Sequence, residues 1–130
     1  MIREATMQDM PALLEMAREY HKKLDPPWPY SGVGVRRFLE AVINSPDGLV
    51  LIHKGFLVGI RQANPLSPKW IVASEILWWG NADLFRHFRK WAQGANEIRY
   101  SCPPDVAANK LFQRIGKPVE AVYSEVETCV

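Results

Sequence analysis

The stretch from Ile71 to Gly116 leaves the chain few ways to fold. It reads as strand, tight turn, helix, strand and helix, with almost no spare residues. Ile71 to Trp79 is an apolar run with β-branched and aromatic character, interrupted by one acid, Glu75. Gly80-Asn81 breaks it. From Ala82 to Gln93 the apolar residues Leu84, Phe85, Phe88, Trp91 and Ala92 recur at helical spacing. Glu97 to Cys102 is a short strand that Pro103-Pro104 stops. Asp105 can cap a last helix carrying Val106, Ala107, Leu111, Phe112 and Ile115 on its apolar side. A strand that turns directly into a helix presents free backbone N–H groups, and such a helix start suits an anion, phosphate above all.

The rest of the chain supplies partners for this unit. Ile2 to Ala5 reads as a first strand, and Thr6 or Asp9 caps a helix with Met10, Leu13, Leu14, Met16, Ala17 and Tyr20 near one face. His21-Lys22-Lys23 places positive charge at its end, where the helix dipole favours it. Asp25 to Gly32 contains three prolines and is not helical. Val35 to Asn44 reads as a second helix, and Ser45 to Gly48 as a turn. Leu49–His53 and Phe56–Gln62 form a hairpin around Lys54-Gly55. Asn64 to Pro68 reads as a loop, and Pro118 to Val126 as a final strand with Val119, Ala121 and Tyr123 on one face. The expected fold is α+β: a mixed, mostly antiparallel sheet flanked by helices, with parallel fourth and fifth strands splayed at one end.

With 130 residues and 48% hydrophobic content, one domain spanning 1–130 and one core are expected. A net charge of +2 argues against a dedicated nucleic-acid binder. No run approaches the roughly 18 apolar residues of a membrane span. The charged start, MIREATMQDM, is unlike a signal peptide. Cys102 and Cys129 read as reduced thiols of a cytoplasmic protein, with one disulfide as the alternative. His21, His53 and His87 lack metal-ligand spacing, so no metal is expected.

Several of these segments resemble the GNAT superfamily of N-acetyltransferases. Met1 to Met10 is similar to its opening strand and helix. Ala73-Ser74-Glu75-Ile76-Leu77-Trp78-Trp79 is similar to its fourth strand, as found in phage and prophage members. Leu111-Phe112-Gln113-Arg114-Ile115-Gly116 resembles the segment closing its last helix. The resemblance implies acetyl-coenzyme A as cofactor and a small-molecule or protein amine as acceptor. It also implies a pyrophosphate loop after Trp79, which here is shortened to Gly80-Asn81. The family's thiolate-protonating Tyr falls on Phe112, its helix-opening Asn on Asp105, and the Phe of its Gly-Phe on Lys117.

Two functions follow. One is acetyl transfer to an amine that attacks the thioester directly. Glu75 is its candidate base, by itself or through water, with a structural ion pair to Arg61 as the other reading. Tyr100, beside Ser101, is the candidate proton donor. Trp78, Trp79, Gly80, Asn81, Ala82 and Arg86, with Arg89, form the candidate cofactor stretch, which Asp83 opposes by its charge. Trp28 and Tyr30 form either a substrate wall or a stiff loop pinned to the core. The other function is that of an inactive GNAT-fold phage structural or internal virion protein, working by protein–protein binding through the same aromatics. Oligomeric state is not legible in the sequence.

Overall fold

The chain reverses at Lys54 and Gly55, both at positive φ (50° and 148°), and this turn starts the sheet. It joins β2 (Gly48–Ile52) to β3 (Phe56–Asn64) in an antiparallel pair with Val50 opposite Val58. The computed structural model describes residues 1–102 and 106–126 and divides the chain into two compact units, Met1–Tyr100 and Ser101–Val130.

The first unit holds one five-stranded sheet in the order β1-β2-β3-β4-β5, where β1 is Arg3–Glu4, β4 is Ser67–Trp79 and β5 is Glu97–Arg99. All neighbours are antiparallel except β4 and β5. The mixed, mostly antiparallel α+β architecture is therefore as expected. Helices α1 (Met10–Leu24) and α2 (Gly32–Ile43) bury Met10, Leu13, Leu39 and Val42 with Val50, Phe56 and Val58 of the sheet. Because strand side chains alternate, Leu57, Gly59 and Arg61 point to the other face. There α3 (Ala82–Trp91) buries Leu84, Phe85 and Phe88.

Three local expectations are corrected. The second helix begins at Gly32 rather than Val35, because Ser31 Oγ accepts the Gly34 N–H at 3.1 Å and caps it. Asn64 to Pro68 is not an open loop. Asn64 Oδ1 accepts the Leu66 N–H at 2.8 Å, so Pro65-Leu66 alone turn the chain and Asn64 pairs with Ser67. No strand forms over 118–126. Pro118 offers no N–H, and Val119, Val122, Tyr123 and Val126 are exposed. The second unit's regular element is α4 (Ala108–Ile115). Pro103, Pro104, the expected cap Asp105, and Cys129 lie outside the described residues.

Gly59 shows why β3 needs a residue without a side chain. A Cβ there would lie 2.9 Å from two ring carbons of fully buried Phe88 and 3.3 Å from Trp91. Gly59→Ala is expected to destabilise the protein by about 1–3 kcal/mol, as overpacking does, read as a lower urea midpoint at unchanged slope.

At the chain start, Arg3 grips Asp9 through two bonds of 2.7 and 2.8 Å, while the Thr6 N–H donates to Asp9 Oδ2 at 2.8 Å. The Arg3 guanidinium first, and the Thr6 N–H second, push the Asp9 carboxyl down from an ordinary 3.8 to about 2. A depressed carboxyl stabilises the fold above its unfolded value, and that contribution fades as pH falls from about 4 toward about 2. Arg3→Gln should raise the Asp9 value toward 3.8 in an NMR carboxyl titration and shrink this acid-dependent loss of stability.

Candidate active site

The site is organised by an irregularity in β4. Leu77 pairs with Val58 and Glu75 pairs with Gly59, so Ile76 has no partner on β3. This bulge inserts one residue and resets the alternation of faces. Below it, Ala73 and Glu75 share the α3 face with Gly59 and Arg61. Above it, Leu77 and Trp79 share the α1/α2 face with Val58 and Phe56. Trp78 returns to the α3 face and stacks on Phe85 at 5.1 Å. The bulged Ile76 is 42% exposed.

The parallel pairing of β4 with β5 covers only Val72–Ser74 against Glu97–Arg99. β4 then runs five residues further, from Glu75 to Trp79. Among the described residues no strand pairs with that edge, which is the expected splay of the fourth and fifth strands.

Glu75 is buried, at 6% exposure. The ion pair with Arg61 weighed from the sequence does not form. The Arg61 guanidinium instead donates to the Trp91 carbonyl and lies over the Trp91 ring, 4.1 Å from its centroid. Tyr100 follows β5 and meets Phe85 edge-on at 5.4 Å, which puts it on the same face as Glu75.

At the start of α3 the expected free N–H groups are corrected in part. Asn81 Oδ1 accepts the Asp83 N–H at 3.0 Å and the Leu84 N–H at 3.3 Å, so the helix caps itself. Asn81 is further held by its Nδ2, which donates to the His53 carbonyl at 3.3 Å, and by Trp78 Nε1, which donates to its carbonyl at 3.1 Å. Arg86 is paired with Asp83. Gly80 has φ +121°, and a Cβ there would lie 3.0 Å from the Lys54 carbonyl oxygen. A valine at this position would strain the backbone whatever binds nearby. The sharper probe is the cap. Asn81→Ala should cost about 1 kcal/mol of stability, seen as a lower thermal midpoint, because the Asp83 and Leu84 N–H groups lose their acceptor.

The opposite face carries a groove of about 340 Å³ lined by Tyr20, His21, Trp28, Tyr30, Phe38 and Phe56 among others, with Leu77 at the β4 side. Trp28 and Tyr30 are thus brought together along one groove. Tyr30 is pinned, its hydroxyl donating to the Leu14 carbonyl at 3.1 Å, whereas Trp28 is 57% exposed. His21 Nε2 meets the Trp28 carbonyl at 2.8 Å. The sequence reading missed Tyr20, His21 and Phe38 as groove residues. Tyr20 and His21 follow Ala17 at i+3 and i+4, a spacing that placed them on one face beside the aromatic loop.

The structure therefore does not bring all the candidates together. Glu75 and Tyr100 lie on one face of the sheet, Trp28 and Tyr30 on the other. Among the described residues no three His, Cys, Asp or Glu side chains gather to hold a metal ion, and no helix is long and apolar enough to cross a membrane.

No family model matches the chain, and no curated protein matches it. Solved structures do. A predicted acetyltransferase with acetyl-CoA from Clostridium acetobutylicum superposes with a TM-score of 0.77 over 98% of this chain and 95% of its own, at 8% identity. A probable acetyltransferase gives 0.73 over 100% and 97%, at 17% identity. The aminoglycoside 6'-N-acetyltransferase of Acinetobacter haemolyticus gives 0.71 over 100% and 99%, at 13% identity. The chain has the GNAT fold.

Proposed function

We propose that the protein is an acetyl-coenzyme A-dependent N-acetyltransferase of phage type. The observation that carries this reading is the bulged, one-sided end of β4 in a chain with the fold of acetyltransferases. An extended ligand arm fits there, because the strand edge over Glu75–Trp79 can offer backbone donors and acceptors as a missing strand would. Acetyl-coenzyme A, when bound, supplies an acetyl group activated as a thioester. Ala82 at the start of α3, with Arg86 about one turn and Arg89 about two turns later, would meet its diphosphate, in competition with the Asn81 cap and the charge of Asp83.

The acceptor amine would approach from the groove side, with Trp28 and Tyr30 as its wall. The sheet stands between the groove and Glu75, so the amine's proton reaches the carboxylate only through water around the unpaired edge of β4 beyond Ser74. The Glu75 carboxylate takes the amine's proton by that route, and the Tyr100 hydroxyl supplies a proton on the α3 face. Glu75→Gln keeps the shape and removes the base. It should leave the fold intact and lower turnover by about a hundredfold or more, measured as thiol release. Full activity in that variant removes Glu75 from the mechanism. Absence of any calorimetric heat with acetyl-coenzyme A or coenzyme A at millimolar concentration overturns the enzyme reading.

The Asn81 cap favours a second reading, an inactive GNAT-fold interaction protein, in which the helix start is sealed by its own side chain. The same calorimetry separates the two.

A further inference from the structure

We infer that the aromatic groove binds a monoamine carried on an apolar, ring-sized body, and does not bind polyamines or amino sugars. The inference rests on the acetyl-transfer reading only in naming that amine as the acceptor.

Size is the first argument. A cavity of about 340 Å³ lies at the small end of the roughly 300–1,000 Å³ typical of small-molecule sites. Chemistry is the second. Among the described residues no Asp, Glu, Lys or Arg lines the groove. Its Tyr30 hydroxyl and His21 Nε2 are already engaged by the Leu14 and Trp28 carbonyls. Ser31 Oγ accepts the Gly34 N–H at 3.1 Å, so a ligand with several ammonium or hydroxyl groups would exchange water for a wall with few polar atoms and, among the described residues, no carboxylate.

Charge around the rim points the same way. The Arg18 guanidinium lies 5.5 Å from the Tyr30 ring centre, and the Lys23 ammonium 5.8 Å from that of Trp79, which packs against Tyr20 of the groove. Cations already occupy ring faces on two sides, so a polycation meets repulsion, whereas a flat or branched hydrocarbon covers what these aromatic side chains leave exposed, Trp28 above all. The groove reaches β4 at Leu77, one residue past the bulge, so a body lodged among the rings can send one short polar end toward the open strand edge.

The wall is also arranged before a ligand arrives. Proline stiffens the loop on both sides of Trp28, and His21 holds the Trp28 carbonyl, so little ordering accompanies binding.

The test is calorimetry on the whole chain without coenzyme A, using 2-phenylethylamine, hexylamine, spermidine and kanamycin. The first two should bind, and the last two at least about tenfold more weakly. Trp28→Ala should weaken 2-phenylethylamine about tenfold or more, as loss of a central aromatic does. Leu66→Ala, at the 97% exposed tip of the β3–β4 hairpin, should change nothing. Spermidine or kanamycin binding as tightly as 2-phenylethylamine overturns the inference, as does indifference to Trp28→Ala. So does a sedimenting dimer that Trp28→Ala converts to monomer, since a second copy would then fill the groove. Because coenzyme A is absent, failure here is distinct from failure of acetyl transfer. Acetylation of spermidine by both the parent and Trp28→Ala would overturn the groove assignment while upholding the activity.

Discussion

Everything in the first unit depends on how β4 pairs with β3, and above all on the residue left out of register between Glu75 and Leu77. With Ile76 extruded, the strand presents Ala73 and Glu75 to α3 and then Leu77 and Trp79 to α1 and α2. A regular strand would have kept Glu75 and Leu77 on one face. The carboxylate would then have stood beside the groove and among the hydrophobic residues that α1 and α2 bury. The bulge keeps an acid and an aromatic groove on the same strand while separating them by the thickness of the sheet.

That arrangement is held from both sides. On the α3 face, the missing side chain of Gly59 lets Phe88 and Trp91 come down onto β3, beside the pairing position of Glu75. Trp91 in turn occupies Arg61, the cation nearest in the sheet pattern. On the other face, Trp79 packs edge-on against Tyr20 at 5.6 Å, and Tyr20 against Phe56 at 6.4 Å. Side chains above and below the bulge are therefore each locked by a different helix. The twist that a bulge introduces at a strand end suits the divergence of β5 after Arg99.

Much of this fold was legible because its signals are local. Lys54-Gly55 marks a hairpin, and the spacing of Leu84, Phe85 and Phe88 marks a helix after Gly80-Asn81. Ser31 and Asn64 were equally readable as a cap and a turn former, yet the prolines around them drew the reading toward open loop. The bulge was not legible, since Ile71–Trp79 is apolar almost throughout and no alternation reveals where its register slips. Nor was the separation of Glu75 from Trp28 and Tyr30. Both lie where the family resemblance suggests a site, but which face each takes depends on that slip. The apolar alternation over 118–126 predicted a strand on pattern alone, and pattern does not supply a partner. The roles of the candidate residues rest on chemistry that no spacing reports.

The helix start after β4 shows the same tension between local and functional logic. Asn is among the best N-cap residues because its carboxamide oxygen reaches the N–H groups of the next turn, and Asn81 does this twice. Those N–H groups are also what an anion would use. A diphosphate brings more charge than a carboxamide, so it can displace the cap where the exchange costs only the two bonds that Asn81 surrenders. Two features oppose the exchange: Asn81 is tied at its other end to the His53 carbonyl, and Asp83 stands in the first turn with Arg86 as its partner. One feature assists it, because Arg86 can turn from Asp83 to a more highly charged neighbour without a change in backbone. An anion at this helix start therefore competes with one side chain, Asn81, for the same pair of backbone donors.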